Sequence, residues 1–180
     1  MDNKYLIFGI GNFGEGYSLT RHNLGARLIE YLITSLKLEV FNKRKYKCAL
    51  LKPYVLAYNK SYMNCTGPCV QDAMLDFQID TKNIVVVHDD LQLATGKMLI
   101  RHVGSLLGHN GLKDISNKLF TADFTRLRLG IDRPDNKEDV IYYVNEKFTY
   151  EQELLIATLF EHVLTNHVEL FSNYVTKTDS

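Results

Sequence analysis

The sequence predicts an α/β domain with one sheet between helical layers. Three observations carry this. Tyr5-Leu6-Ile7-Phe8 and Ile84-Val85-Val86-Val87 are continuous apolar runs, as expected of strands covered on both faces. Residues 24–38 and the segment after Thr149 carry apolar residues at helical spacing. Strand-like and helix-like segments alternate along the chain, with no internal repeat, linker or low-complexity run.

The elements follow in order. Tyr5 to Phe8 is a buried first strand ended by Gly9. Leu24, Leu28, Leu32 and Leu36, flanked by Ile29 and Ile33, form one stripe of a helix. Cys48–Leu51 and Tyr54–Tyr58 flank Lys52-Pro53 and read as a strand pair with a tight connection. Val70–Phe77 reads as a helix with Ala73, Met74 and Phe77 inward. Ile84–Val87 is the central strand. Met98–Arg101 is a weaker strand, Leu112–Leu119 a helix and Arg126–Ile131 a further strand. Residues 133–139 are a polar loop. Thr149 and Gln152 fit a capping box opening a long helix with Leu155, Leu159, Val163 and Leu170 on one stripe. Residues 176–180 read as a frayed tail.

At 180 residues the chain is expected to be one catalytic domain, with an ordered core over about 5–175. The composition is 46% hydrophobic and 23% charged, which excludes a disordered or collagen-like chain. No run has the apolar length of a membrane span, and the first residues lack the pattern of a signal or transit peptide. Cys48, Cys65 and Cys69 lack the spacing of a disulfide framework or a zinc site, which points to a reducing, cytoplasmic setting. The net charge of zero conceals an asymmetry. Residues 1–134 carry 18 basic against 12 acidic side chains, and residues 135–180 carry 3 against 9. A uniformly basic coat is excluded, whereas one basic face is not. The densest basic run, Lys43–Lys47, reads as solvated surface.

Several motifs carry chemistry. Gly9-Ile10-Gly11-Asn12-Phe13-Gly14 matches the glycine pattern of a dinucleotide site. That reading fails: six residues separate it from a plausible helix, and no acid ends a second strand. Thr20-Arg21-His22-Asn23 puts a histidine just before a helix, where it could take a proton from water or merely cap. Val87-His88-Asp89-Asp90 places a carboxylate pair at the end of the most buried strand, suited to orienting an imidazole. A metal site would need several of the scattered His22, His88, His102 and His109 to converge. Gly108-His109-Asn110-Gly111 is a polar turn opening a helix, where N–H groups favour a developing oxyanion. Tyr62-Met63-Asn64 precedes a second such turn. The segment 104–108 is not a nucleophile elbow, so no serine or cysteine has a triad context.

Taken together and in this order, with Arg126-x-Arg128-x-Gly130-Ile131, these motifs resemble the bacterial-type peptidyl-tRNA hydrolase family over nearly the whole chain. The resemblance implies a three-layer α/β/α sandwich with a mixed, largely parallel central sheet. It implies a metal-free, cofactor-free, monomeric enzyme that cleaves the ester joining a peptide to the 3′ end of tRNA, with no obligate protein partner and no membrane. By position, His22 would be the general base, Asp89 the carboxylate orienting it, and Asn12 the sensor of a blocked amino group. Asn64, His109 and Asn110 would bind the peptide and the tRNA end, with Asn110 also serving the oxyanion. Tyr17, Tyr62 and Met63 would line the cleft, and Arg101 and Arg128 would clamp phosphate; on charge alone, Lys113 is expected to join them.

The chain departs from the family pattern at Phe13 and Asn59, where the family usually has proline, and at Gln92-Leu93-Ala94. It also departs at Leu106-Leu107, which puts bulk at the cleft mouth. Two other readings compete: a tRNA- or ribosome-binding protein of the same fold without catalysis, and an oxidoreductase using the Gly9–Gly14 loop.

Overall fold

A computed structural model describes residues 4–102 and 104–175; the expected frayed tail at 176–180 lies outside them. The strands are β1 (Tyr5–Gly9), β2 (Phe41–Asn42), β3 (Tyr46–Leu51), β4 (Tyr54–Asn59), β5 (Ile84–Asp90), β6 (Met98–Arg101) and β7 (Thr125–Gly130). The helices are α1 (Leu24–Ser35), α2 (Gly67–Phe77), α3 (Asn110–Leu119), α4 (Val140–Asn145) and α5 (Tyr150–Val175).

One sheet has the order β2-β3-β4-β1-β5-β7-β6. Its centre, β4-β1-β5-β7, is parallel. β3 and β2 fold back antiparallel on one side and β6 on the other, so the sheet is mixed. Strand alternation divides the core into two layers. Tyr5 and Ile7 face one layer with residues of α1, α4 and α5, while Leu6 and Phe8 face the other with residues of α2 and α3. Four central strands buried on both faces explain the unbroken apolar runs of β1 and β5.

The α1 stripe is buried at Leu24, Leu28, Ile29, Leu32 and Ile33. Burying each such side chain contributes roughly 1.5–3 kcal/mol. Ala26 N donates to Ile10 O and Ile10 N donates to Val87 O, so the start of α1 is docked on the ends of β1 and β5. Gly25 allows this, because a Cβ there would run into the Val87 carbonyl.

The predicted capping box forms: Gln152 N donates to Thr149 Oγ1 at 3.3 Å, and Thr149 N to Gln152 Oε1 at 3.1 Å. The α5 stripe holds at Leu159, Val163 and Leu170 but not at its first member. Ile156, Leu159, Phe160 and Val163 are buried, whereas Leu155 is 51% exposed. β5 runs on through His88, Asp89 and Asp90: both carboxylates and His88 Nδ1 find partners inside, while His88 Nε2 is buried without one among the described residues. The short β2 and α4 were not apparent in the sequence. Lys43 and Lys45 of the basic run pair with Asp76 and Asp72 of α2. The three cysteines are free, with only Cys65 exposed. Among the described residues no helix is long and apolar enough to cross a membrane.

Candidate active site

A cleft of about 1000 Å³ opens at the carboxyl ends of β1, β4 and β5, the edge where open α/β sheets collect their sites. The segments leaving these strands supply its floor. The Gly9–Gly14 loop leaves β1 without a helix; α1 begins only at Leu24. The start of α1 reaches this loop from further along the chain, and its Ala26 N–H is spent on Ile10 O, so the glycines do not themselves open a helix, as the dinucleotide fingerprint would require.

His22 lies on a 3-10 turn, Arg21–Asn23, that leads directly into α1. Its Nδ1 lies 2.9–3.0 Å from both oxygens of Asp89. Asp89 is buried near the end of β5. Burial alone would raise its carboxyl, but His22 and His109 hold it well below the usual carboxylate range. Burial acts to lower His22, and the charge and hydrogen bond of Asp89 outweigh it, so His22 is raised above its ordinary value. With Nδ1 donating to Asp89, Nε2 is the lone-pair nitrogen of the neutral ring. It has no hydrogen-bond partner among the described residues, and His22 lines the cleft.

His109 precedes α3 and caps it: its Nδ1 accepts from Leu112 N at 3.4 Å. Its Nε2 then donates to Asp89 Oδ1 at 2.9 Å. Asn110 is the first residue of α3 and is exposed at the cleft. His88 is fully enclosed. Its Nδ1 donates to Asp89 O at 2.7 Å, and burial together with His109 pushes it down to about 3. His88 is therefore neutral at pH 7 and not a base for a water in the cleft.

The histidines that look scattered in sequence do converge. One nitrogen each of His22 and His109 and an oxygen of Asp89 lie within 4.8 Å of one another, a set that could in principle hold a cation. Within this set His22 Nδ1 and His109 Nε2 are already hydrogen-bonded to the Asp89 carboxylate.

Asn12 Oδ1 accepts from Met63 N at 2.8 Å, which leaves its Nδ2 without a partner among the described residues. Tyr62, Met63 and Asn64 join the same wall from the turn after β4. Tyr17 is not in the wall; it packs edge-on against Tyr62 with centroids 6.2 Å apart. Leu107 stands in the cleft lining while Leu106 packs into the core.

Three predicted contacts lie apart. Arg101 and Lys113 are exposed and outside the cleft lining. Arg128 is a correction. It is 7% exposed, its Nε donates to Asp90 Oδ2 at 2.5 Å and its Nη2 to Gln92 Oε1 at 3.2 Å. A guanidinium spent this way is not free to clamp a phosphate. The Asp89–Asp90 pair is thus split between two tasks, the site and β7.

Four features were missed in sequence. Asn23 donates to and accepts from the backbone of Asn12. Asn59 does the same for Gly11. Arg21, buried beside His22, donates to Lys147 O at 2.9 Å and Gln152 Oε1 at 3.1 Å and stacks on Tyr143. It ties the His22 turn to the junction of α4 and α5. Val140, Ile141 and Val144 of α4 give the cleft an apolar wall, with Arg133 and Lys137 beside it.

Comparison with known proteins fits this geometry. The family profile described as Peptidyl-tRNA hydrolase matches residues 6–179. The peptidyl-tRNA hydrolase of Aliarcobacter butzleri (strain RM4018) is 36% identical over 162 residues, 89% of this chain and 88% of the relative. That of Aquifex aeolicus (strain VF5) is 38% identical, over 87% of this chain and 84% of the relative. The crystal structure of peptidyl-tRNA hydrolase from Acinetobacter baumannii superposes with a TM-score of 0.87 at 30% identity, covering 99% of this chain and 93% of that one. With fold, length and motif order all in agreement, the chain belongs to the peptidyl-tRNA hydrolase family.

Proposed function

We propose that this chain hydrolyses the ester between a peptide, or an N-blocked amino acid, and the 3′ end of tRNA, with His22 as general base. The reaction is that of the family. One observation carries the assignment of the base: His22 is seated by Nδ1 on buried Asp89, and its Nε2 is unpartnered at the cleft.

The chemistry follows. Nε2 takes a proton from water as the oxygen attacks the ester carbonyl. Asp89 holds the ring and stabilises the imidazolium, and His109 holds Asp89 from the other side. The developing oxyanion is received by Asn110 at the start of α3. The imidazolium then returns its proton to the departing 3′ oxygen, giving free tRNA and a peptide carboxylate. No step needs a metal or cofactor.

Asn12 Nδ2 donates to an acyl carbonyl on the substrate nitrogen. A free ammonium offers no acceptor there, so the blocked substrate is favoured. Asn64 and Asn110 bind the peptide backbone and terminal nucleotide, and Tyr62 and Met63, with Tyr17 behind, form the apolar side of the subsite. Exposed Arg101 and Lys113 meet tRNA phosphates, which supply most nucleic-acid affinity. The enzyme works as a monomeric single domain in the cytoplasm. The complete His22–Asp89 pair disfavours the silent binding protein.

The test is hydrolysis of N-acetyl-aminoacyl-tRNA against aminoacyl-tRNA, with chelator present. Selective cleavage of the blocked substrate, lowered at least about a hundredfold in folded His22→Ala, is expected. Near-wild-type turnover of that variant would remove His22 from the role.

A further inference from the structure

We propose that Asn59 is a positioning residue for Asn12, setting selectivity for the blocked substrate; this rests on the role given to Asn12 above. The β1–β4 ladder ends at the pair Gly9–Tyr58. One residue on, the backbone no longer pairs, and the Asn59 side chain takes its place. Asn59 is 5% exposed. Its Oδ1 accepts from Gly11 N at 3.0 Å, and its Nδ2 donates to Gly11 O at 2.6 Å and Ser61 O at 2.9 Å. The side-chain amide thus imitates one more residue of strand. Phe13 N also donates to Ser61 O at 3.0 Å, a bond that a proline at position 13 could not make.

The next peptide is held from the other side. Asn23 Oδ1 accepts from Asn12 N at 2.7 Å, and Asn23 Nδ2 donates to Asn12 O at 2.8 Å. With Asn12 Oδ1 on Met63 N, every backbone polar atom of Gly11 and Asn12 is engaged, and so is the Asn12 side-chain oxygen. Only Asn12 Nδ2 is left over. The lock decides which end of the Asn12 amide reaches the cleft, and it selects the donor. Removing Asn59 frees the Gly11 peptide to rotate, and with it the base of the Asn12 side chain. The effect falls on substrate choice, because no atom of Asn59 lines the cleft.

The experiment compares kcat/KM for N-acetyl-aminoacyl-tRNA and for aminoacyl-tRNA in wild type, Asn59→Ala, Asn12→Ala and the double variant, with thermal melts alongside. Asn59→Ala is expected to lower the blocked-to-free ratio about tenfold, the size of one lost hydrogen bond. In the Asn12→Ala background the same change is expected to alter the ratio less than about twofold, because the effect passes through Asn12. A folded Asn59→Ala protein with unchanged selectivity, or an equal loss in both backgrounds, overturns the proposal and leaves Asn12 its role. An unchanged ratio in Asn12→Ala overturns both. If Asn59→Ala does not fold, Asn59→Ser keeps a hydroxyl that can accept from Gly11 N. An intermediate ratio is then expected, and a wild-type ratio overturns the proposal.

Discussion

His109 Nε2 lies 2.9 Å from Asp89 Oδ1, the oxygen that also faces His22 Nδ1 at 3.0 Å. One buried carboxylate therefore accepts from two imidazoles that come from different elements. His109 accepts the Leu112 N–H at its other nitrogen, which orients the ring and leaves Nε2 to donate to Asp89. The charge that His22 acquires as it accepts a proton faces this same carboxylate. A carboxylate held this way stays ionised through the reaction and orients the ring that does the work.

This arrangement predicts the pH profile. His22 must be neutral to act, and its value is raised by Asp89. kcat/KM is expected to rise with pH through a value above about 6.5 and then level off. In Asp89→Asn the raising charge is gone and burial, which lowers His22, remains. The acid limb is expected to move to lower pH while the plateau drops about a hundredfold or more. A limb that stays in place in Asp89→Asn would show that another group titrates.

The same pair sets a stability window. Asp89 is lowered in the fold, so its contribution is full above the ordinary carboxylate value and is lost as pH falls through the lowered one. His22 is raised, so its contribution is full below the ordinary histidine value and is lost as pH rises through the raised one. Both are full between about pH 4 and 6.5. The melting difference between wild type and Asp89→Asn is expected to be largest there and to shrink by pH 8.5. A difference that grows steadily with pH would contradict the assignment.

Much of this was legible in the chain. The apolar runs of β1 and β5 and the period of α1 place the sheet and one helical layer. The ordered motifs place His22, Asp89, Asn12, Asn64 and Asn110 in one family pattern. What was not legible depends on partners distant in sequence. Arg101 and Arg128 look alike in the chain, but β7 is a central strand and Asp90 faces it, while Arg101 sits on the edge strand β6. His88-Asp89-Asp90 follows the apolar run and is still strand, because His88 Nδ1 and both carboxylates find partners within the fold. Nothing beside Asn23 and Asn59 in the chain points to their roles; their backbone partners lie 11 and 48 residues away. The six residues of α4 are too few for a period to show.

Gly25 gives a prediction about the fold rather than the chemistry. A Cβ at this position meets the backbone of Val87 and Ile10, which cannot turn aside as a side chain would. Gly25→Ala therefore has to push α1 off the sheet. It is expected to cost about 3 kcal/mol or more, seen as a melting point lower by roughly 6–12 °C or as insoluble protein. A variant melting within about 2 °C of wild type would mean that α1 does not sit this close.

The two arginines separate stability from binding. Arg128→Met leaves Asp90 as an uncompensated buried carboxylate, which costs about 3–5 kcal/mol for a broken buried pair. Its effect is expected in the melting point, with KM for the tRNA substrate little changed in the folded fraction. Arg101→Glu alters an exposed side chain and is expected to leave the melting point within about 2 °C while raising KM severalfold at low salt. Raising the salt should erase most of that difference, because screening weakens exposed charges. The opposite outcome, a salt-dependent KM effect at Arg128 and none at Arg101, would require the Asp90 pair to open when tRNA binds. The phosphate contact would then move from the β6 edge to the centre of the sheet.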